Sequence, residues 1–220
     1  MKKIPTLFPK NPENLRLVIP GELRADLDKV KAFIKYDGRA CAIINGKLYT
    51  RYDAKLIKRK RGKVIKLSKE EVLKKIPQGT IECQEPDEKS GHWPHWIPCD
   101  PKNKDHEYIF EAYENSKELF EMKDETYECI GPKVNANPHH TYKHFLIPHL
   151  EVPIENFDEK FYEKIKDIKN DPEKLYEFFK EYFKTFPFEG IVFWDLEKKE
   201  PIAKIRKTDF GWEKWYEINN

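Results

Sequence analysis

A lysine that ends an apolar strand and runs into a glycine turn can carry a nucleophilic amine into a cleft. The segment Lys35-Tyr36-Asp37-Gly38 has that form. Lysine is a poor nucleophile at neutral pH unless burial or nearby cations lower its pKa. Such cations are present: Arg51 lies sixteen residues after Lys35 on the returning strand of a hairpin, and Lys204 and Arg206 alternate on the last strand. Residues two apart on a strand share a face, so Lys204 and Arg206 form one basic edge. Two carboxylates stand at strand edges, Glu128 in TYECIGPK and Glu189 in FEGIVFW. A K-x-D-G tetrapeptide alone is common and usually only a turn. The ordered set is what points to covalent chemistry through an amine.

The elements that must position these residues are short. CAIING-KLYTRY reads as a hairpin, because Asn45-Gly46 is the two-residue type I′ signal. Further strands are expected at 33–36, 127–130, 145–148, 190–195 and 202–207, the last two joined by LEKKEP. Asp171-Pro172 is a helix start, with Leu175, Phe178, Phe179, Tyr182 and Phe183 giving one apolar face. Ser68 with Glu71 reads as a capping box. A third helix is expected over 106–122, burying Phe110, Tyr113 and Phe120. Strands and helices interleave without a βαβ rhythm, which favours a mixed, largely antiparallel α+β fold in one domain spanning 1–220.

Composition narrows the class. The 220 residues carry 41 Lys+Arg against 39 Asp+Glu, so net charge alone does not argue for nucleic acid. Charged residues reach 36%, above the roughly 25% of an average domain, which implies a highly solvated surface. No apolar run is long enough for a transmembrane helix or a signal peptide, so a soluble, cytoplasmic protein without a membrane partner is expected. Cys41, Cys83, Cys99 and Cys129 are then expected as free thiols. There is no Walker-type phosphate loop, no G-x-G-x-x-G and no H-E-x-x-H. The basic run from Lys55 to Lys66, including Lys58, Arg59, Lys60 and Arg61, could bind an RNA backbone by counterion release or simply be a solvated segment. KRKR within it also reads as a weak nuclear-import signal. Cys83, His92, His95 and Cys99 lack the paired spacing of a structural zinc site, so a packed aromatic loop is the default there. His139-His140 reads as a surface loop, and Trp212, Trp215 and Tyr216 as packing.

The order K-x-D-G, arginine, strand glutamate, E-G-I-V and a basic last strand resembles the covalent nucleotidyltransferase superfamily of DNA ligases, RNA ligases and mRNA capping enzymes. The resemblance spans about residues 30 to 210. CQEPDEKSGHWPHWIPC, TYECIGPKVNANP and AKIRKTDFGW narrow it, being similar to a family of small ATP-dependent RNA ligases of phages and eukaryotes. The resemblance implies a nucleotidyltransferase, ATP-grasp-like fold of antiparallel sheets with flanking helices. It implies that Lys35 attacks the α-phosphate of ATP to give lysyl-AMP, with Asp37 and Gly38 at the nucleotide. Arg51 and Lys204 would hold phosphate oxygens, Arg206 would assist or touch the strand, and Glu128 would bind the ribose. Glu189 would hold Mg²⁺ or Mn²⁺, Phe145 would cover the adenine, and Arg39 with the 58–61 run would contact RNA. AMP would pass to an RNA 5′-phosphate, and a 3′-hydroxyl would displace it, in a monomeric enzyme of RNA repair.

Arg39 stands where a small or polar residue is more usual, and arginine at 206 replaces a common lysine. Fourteen residues follow Arg206, too few for an OB-fold, which favours an RNA ligase over a DNA ligase or capping-type guanylyltransferase. A non-catalytic RNA-binding module would be expected to lose Lys35, Glu189 or Lys204, and all three are present.

Overall fold

The computed structural model describes residues 2–60, 63–88, 90–212 and 215–216, with the side chains of residues 59 and 60 outside that description. In chain order the first strands are β1 (Lys31–Lys35), β2 (Arg39–Ile44), β3 (Lys47–Lys55), β4 (Ile57–Lys60) and β5 (Lys63–Lys66). They lead into α1 (Lys69–Leu73), β6 (Ile81–Glu82), β7 (His92–Pro98), α2 (Glu107–Ser116), β8 (Thr126–Ile130) and β9 (Phe145–Pro148). The chain continues through α3 (Phe161–Ile165) and α4 (Pro172–Tyr182) to β10 (Gly190–Asp195) and β11 (Glu200–Arg206). The fold is α+β, and the strand pairings of its sheets are antiparallel.

Two compact units form, Met1–Lys3 with Gly38–Pro148 and Ile4–Asp37 with His149–Asn220. The first unit holds a six-stranded sheet in the order β6-β7-β3-β2-β8-β9 and the ribbon β4-β5. Its β2–β3 turn has Asn45 at φ 51° and Gly46 at φ 69°, the left-handed pair a type I′ turn requires. That turn sets Cys41 opposite Thr50 and Ala42 opposite Tyr49. One face of the sheet packs Cys41, Ile43, Cys129 and Leu146 against Ile109 and Ala112 of α2. The opposite face carries Ala42, Tyr49 and Trp96.

The second unit holds β1-β10-β11. Ala32, Ile34, Ile191, Phe193, Ala203 and Ile205 alternate along these strands and are buried. They pack with Phe161 and Ile165 of α3, Leu175 and Phe179 of α4, and Phe183 and Phe186 beyond it. Aromatic rings dominate this core, for instance Phe179 edge-on to Phe193 with centroids 6.3 Å apart. Asp171 caps α4 by accepting from Lys174 N, and Pro172 opens it. Both outer strands are covered by chain: Leu7 N donates to Lys204 O on β11, and Ile34 N of β1 donates to Val152 O.

Two local expectations need correcting. Helix α2 ends at Ser116 instead of running to 122, and it buries Ile109, Ala112 and Ser116 while Phe110 and Tyr113 are only half-buried. The face is rotated by one residue because small Ala112 and Ser116 let the helix approach the sheet closely. Ser116 Oγ even accepts from Leu146 N at 2.8 Å. The segment HWPHWIP is strand β7, not a loop, and its interior residues Trp93 to Ile97 are buried. Its prolines sit where pairing tolerates them: Pro94 still accepts from Cys83 N through its carbonyl at 3.0 Å.

Candidate active site

In the three-stranded sheet, Lys35 of β1 lies opposite Gly190 of β10, which lies opposite Arg206 of β11. The next row of that face is Phe33, Val192 and Lys204. Strand alternation therefore places Lys35, Lys204 and Arg206 on the face opposite the aromatic core. Gly190 is required between them: a Cβ there would fall 2.1 Å from Ile205 O and 2.8 Å from Arg206 Cα. Glu189, one residue before β10, is buried at 8% exposure. Its Oε2 accepts from Lys35 Nζ at 2.5 Å, and Lys35 Nζ also donates to Tyr36 O at 3.1 Å.

The electrostatics of this cluster follow from burial. Burial raises the Glu189 carboxyl above its usual range, Lys35 opposes that shift, and Asp37 adds to it. Burial, with Arg206 and Lys35 as like charges, pushes the Lys204 ammonium down to about 8. Arg206 is held by Asp209, its backbone N and Nη2 each donating at 2.9 Å and its Nε at 3.3 Å. Burial works against the Arg206 charge, but Asp209 outweighs it and holds the guanidinium above its ordinary pKa. Asp209 is fully buried and also takes Lys10 Nζ at 2.8 Å. Arg206 is thus fixed in place on this face by a buried carboxylate. Asp37 Oδ2 accepts from Trp215 Nε1 at 2.8 Å. Trp212 packs on the aromatic core and Trp215 is buried, as the packing reading expected, whereas Tyr216 is exposed.

The other nucleotide candidates lie in the first unit. Glu128 pairs with Ala40 and with Ile147, and Arg51 pairs with Trp96. Alternation then sets Arg51, Glu128 and Phe145 on one face of the six-stranded sheet. Arg51 stacks over Trp96 with its Cζ 5.8 Å from the ring centroid and pairs with Asp53 at 3.0 Å. Gly38 lets β2 approach β8, since a Cβ there would lie 2.3 Å from Cys129 O. Arg39 goes elsewhere. Its Nε donates to Thr50 Oγ1 at 2.7 Å, which places it on the face covered by α2.

Of the basic run, Lys58 is exposed on β4, whose partner β5 ends in Lys63 and Lys66; Arg61 lies outside the described residues. Four free cysteines are present, and no group of three or more His, Cys, Asp or Glu is placed to hold a metal among the described residues. For Cys83, His92, His95 and Cys99 the reason is geometric. Residues three apart on β7 point to opposite faces, so His92 and His95 diverge. Cys83 packs beside Trp96 while Cys99 packs in the α2-side core. His95 is buried with Nδ1 2.8 Å from Trp93 O. His139-His140 lies in the loop between β8 and β9.

No helix of the described residues is long and apolar enough to cross a membrane. Lys104, His106, Tyr108 and Lys133, which gather around Arg39, escaped the sequence reading because they come from a short 3-10 turn, a helix start and a loop with no shared spacing. Set beside known proteins, the chain matches no protein-family model and no curated protein.

Proposed function

We propose that this chain is an ATP-dependent RNA ligase built on a nucleotidyltransferase fold and working through a lysyl-AMP intermediate. The observation that carries the reading is the pairing of Lys35 Nζ with buried Glu189 at 2.5 Å, on the sheet face that also bears Lys204 and Arg206. The amine of Lys35 attacks the α-phosphorus of ATP, so an N–P bond forms as the bond to the pyrophosphate oxygen breaks. The lysine must first lose a proton, and Glu189 Oε2 is the acceptor within reach, with its basicity raised by burial. Lys204 and Arg206 supply fixed positive charge where the phosphoryl oxygens gain negative charge.

The residues fit a hard divalent cation. Glu189 Oε1 has no protein donor among the described residues, and Mg²⁺ binds comfortably to one carboxylate plus substrate phosphates. Such an ion, when bound, neutralises charge on the triphosphate. On this reading Glu128 takes the ribose, Arg51 a phosphate and Phe145 the adenine. The common sheet face of the three supports those roles. The choice of ATP over GTP, and of RNA ends as acceptor, rests on the resemblance of the sequence.

The test is incubation with Mg²⁺ and ATP labelled at the α-phosphate, followed by detection of label on denatured protein. Mass measurement first excludes protein that is already adenylated. An acid-labile adduct that forms with ATP and disappears in Lys35→Ala supports the covalent step. Transfer of that AMP to a 5′-phosphorylated RNA and sealing to a 3′-hydroxyl complete the case. An adduct formed only from GTP moves the function to capping, and no adduct from folded protein rejects the ligase reading.

A further inference from the structure

We infer that the first unit contains a phosphate-binding pocket on the sheet face opposite Arg51 and Glu128. The cavity, about 590 Å³, is lined by Arg39, Lys104, His106, Tyr108 and Lys133, with Asp105 at its wall. Its size falls in the range of small-molecule sites, with room for more than the phosphate itself.

Arg39 is the centre of the argument. The guanidinium has five N–H donors, and only two are used, Nε to Thr50 Oγ1 at 2.7 Å and Nη1 to the Tyr108 hydroxyl at 3.1 Å. Both acceptors are neutral hydroxyls. Among the described residues Arg39 pairs with no carboxylate, although it is half-buried and Thr50 beneath it is fully buried. A charge withdrawn from water without a counter-ion is costly, and an arriving anion removes that cost.

His106 is the second, independent observation. It is 5% exposed, and its Nδ1 accepts from Asp100 N at 3.0 Å. That bond fixes the neutral tautomer with hydrogen on Nε2, and Nε2 meets no acceptor among the described residues. Burial and the nearby Arg39 both disfavour its charged form, so it serves as a neutral donor. Lys104 and Lys133 are exposed at the pocket and pair with no carboxylate among the described residues. Among the lining residues Arg39, Lys104 and Lys133 outnumber Asp105, while Asp100 lies beside His106 and Glu111 near Lys133 outside the lining. A planar carboxylate would be satisfied by the arginine fork alone. Three phosphate oxygens can use the fork, the His106 N–H and a lysine together.

The inference is independent of the Lys35 cluster, to which none of its residues belongs, although the resemblance also gives Arg39 an RNA contact. Calorimetric titration tests it with inorganic phosphate, a 5′-phosphorylated oligoribonucleotide and the same oligomer bearing a 5′-hydroxyl. Phosphate binding should weaken about tenfold or more in Arg39→Gln and in the double variant Lys104→Ala/Lys133→Ala. The double variant alters exposed lysines only, so it keeps the test valid if Arg39→Gln folds poorly. Lys180→Ala, at an exposed lysine of α4, should leave phosphate binding unchanged. If the phosphorylated oligomer binds more tightly than both inorganic phosphate and the 5′-hydroxyl oligomer, the source is a polynucleotide end. If inorganic phosphate binds as tightly, the source is a free phosphate. Absence of phosphate binding, or binding untouched by the double variant, overturns the inference.

Discussion

Gly190→Ala isolates the contribution of backbone proximity to the site. Gly190 stands between Lys35 and Arg206 in one row of the sheet, and the three nearest atoms that an added Cβ would meet all belong to the backbone of β11. The built Cβ lies 2.1 Å from Ile205 O, whereas ordinary contact begins near 3.4 Å, so β11 must retreat by roughly 1 Å. None of these atoms can rotate away as a side chain would. Overpacking of this kind costs about 1–3 kcal/mol, and each neighbouring ladder bond that is weakened adds about 1 kcal/mol. A total of about 3 kcal/mol lowers Tm by roughly 6–12 °C in a chain of this size. The same displacement moves Arg206 and Lys204 relative to Lys35, and a misplacement of about 1 Å can cost on the order of 100-fold in rate. Urea unfolding and the rate of lysyl adduct formation read the two effects separately. A Gly190→Ala protein within about 0.5 kcal/mol of the parent and with an unchanged adduct rate would refute the reasoning.

Lys204→Met should separate stability from function. Below pH 8 the ammonium is charged in both states and its burial disfavours folding. Between about 8 and 10.5 the folded state holds fewer protons than the unfolded one, so stability rises with pH there. The methionine removes that slope and stabilises the protein at pH 7 by about 1–2 kcal/mol after discounting for partial exposure, while the adduct is lost; a destabilised variant in thermal melts would contradict this. Asp209→Ala leaves Arg206 and Lys10 without their shared carboxylate and should cost about 3 kcal/mol, the low end for a broken buried pair because both cations are partly exposed. Asp209 has a lowered pKa, so its contribution is present above 3.8 and fades as pH falls through the folded-state value. Acid titration of unfolding should show that loss in the parent and not in the variant.

The parts of the fold that rest on local chemistry were legible in the sequence. The Asn45-Gly46 turn, the Ser68–Glu71 capping box and the Asp171-Pro172 helix start all form as their residue types dictate. The parts decided by tertiary contact were not. Helix α2 turns a different stripe inward because Ser116 serves a strand amide. Strand β7 hides behind two prolines and two tryptophans, since alternation cannot appear where both faces are buried. The separation of Arg39 from Arg51 lies between these cases. Once the two-residue turn fixes Cys41 opposite Thr50, Ala40 shares a face with Arg51 and Arg39 must take the other side. The register was therefore in the sequence, but its meaning needed α2 to show what that other side contains.

The covering of β1 and β11 has a consequence for how copies of this chain can meet. Exposed outer strands invite a neighbouring polypeptide to add itself by backbone pairing, the usual seed of runaway assembly. Here the lane beside β11 is occupied by the segment around Thr6, which bridges Lys204 in parallel, and the lane beside β1 by Pro153 opposite Phe33. The strand that bears Lys204 is thereby shielded from recruitment by foreign chains. A protein lacking residues 2–8 would bare that lane, and self-association by backbone pairing along β11 is the expected result.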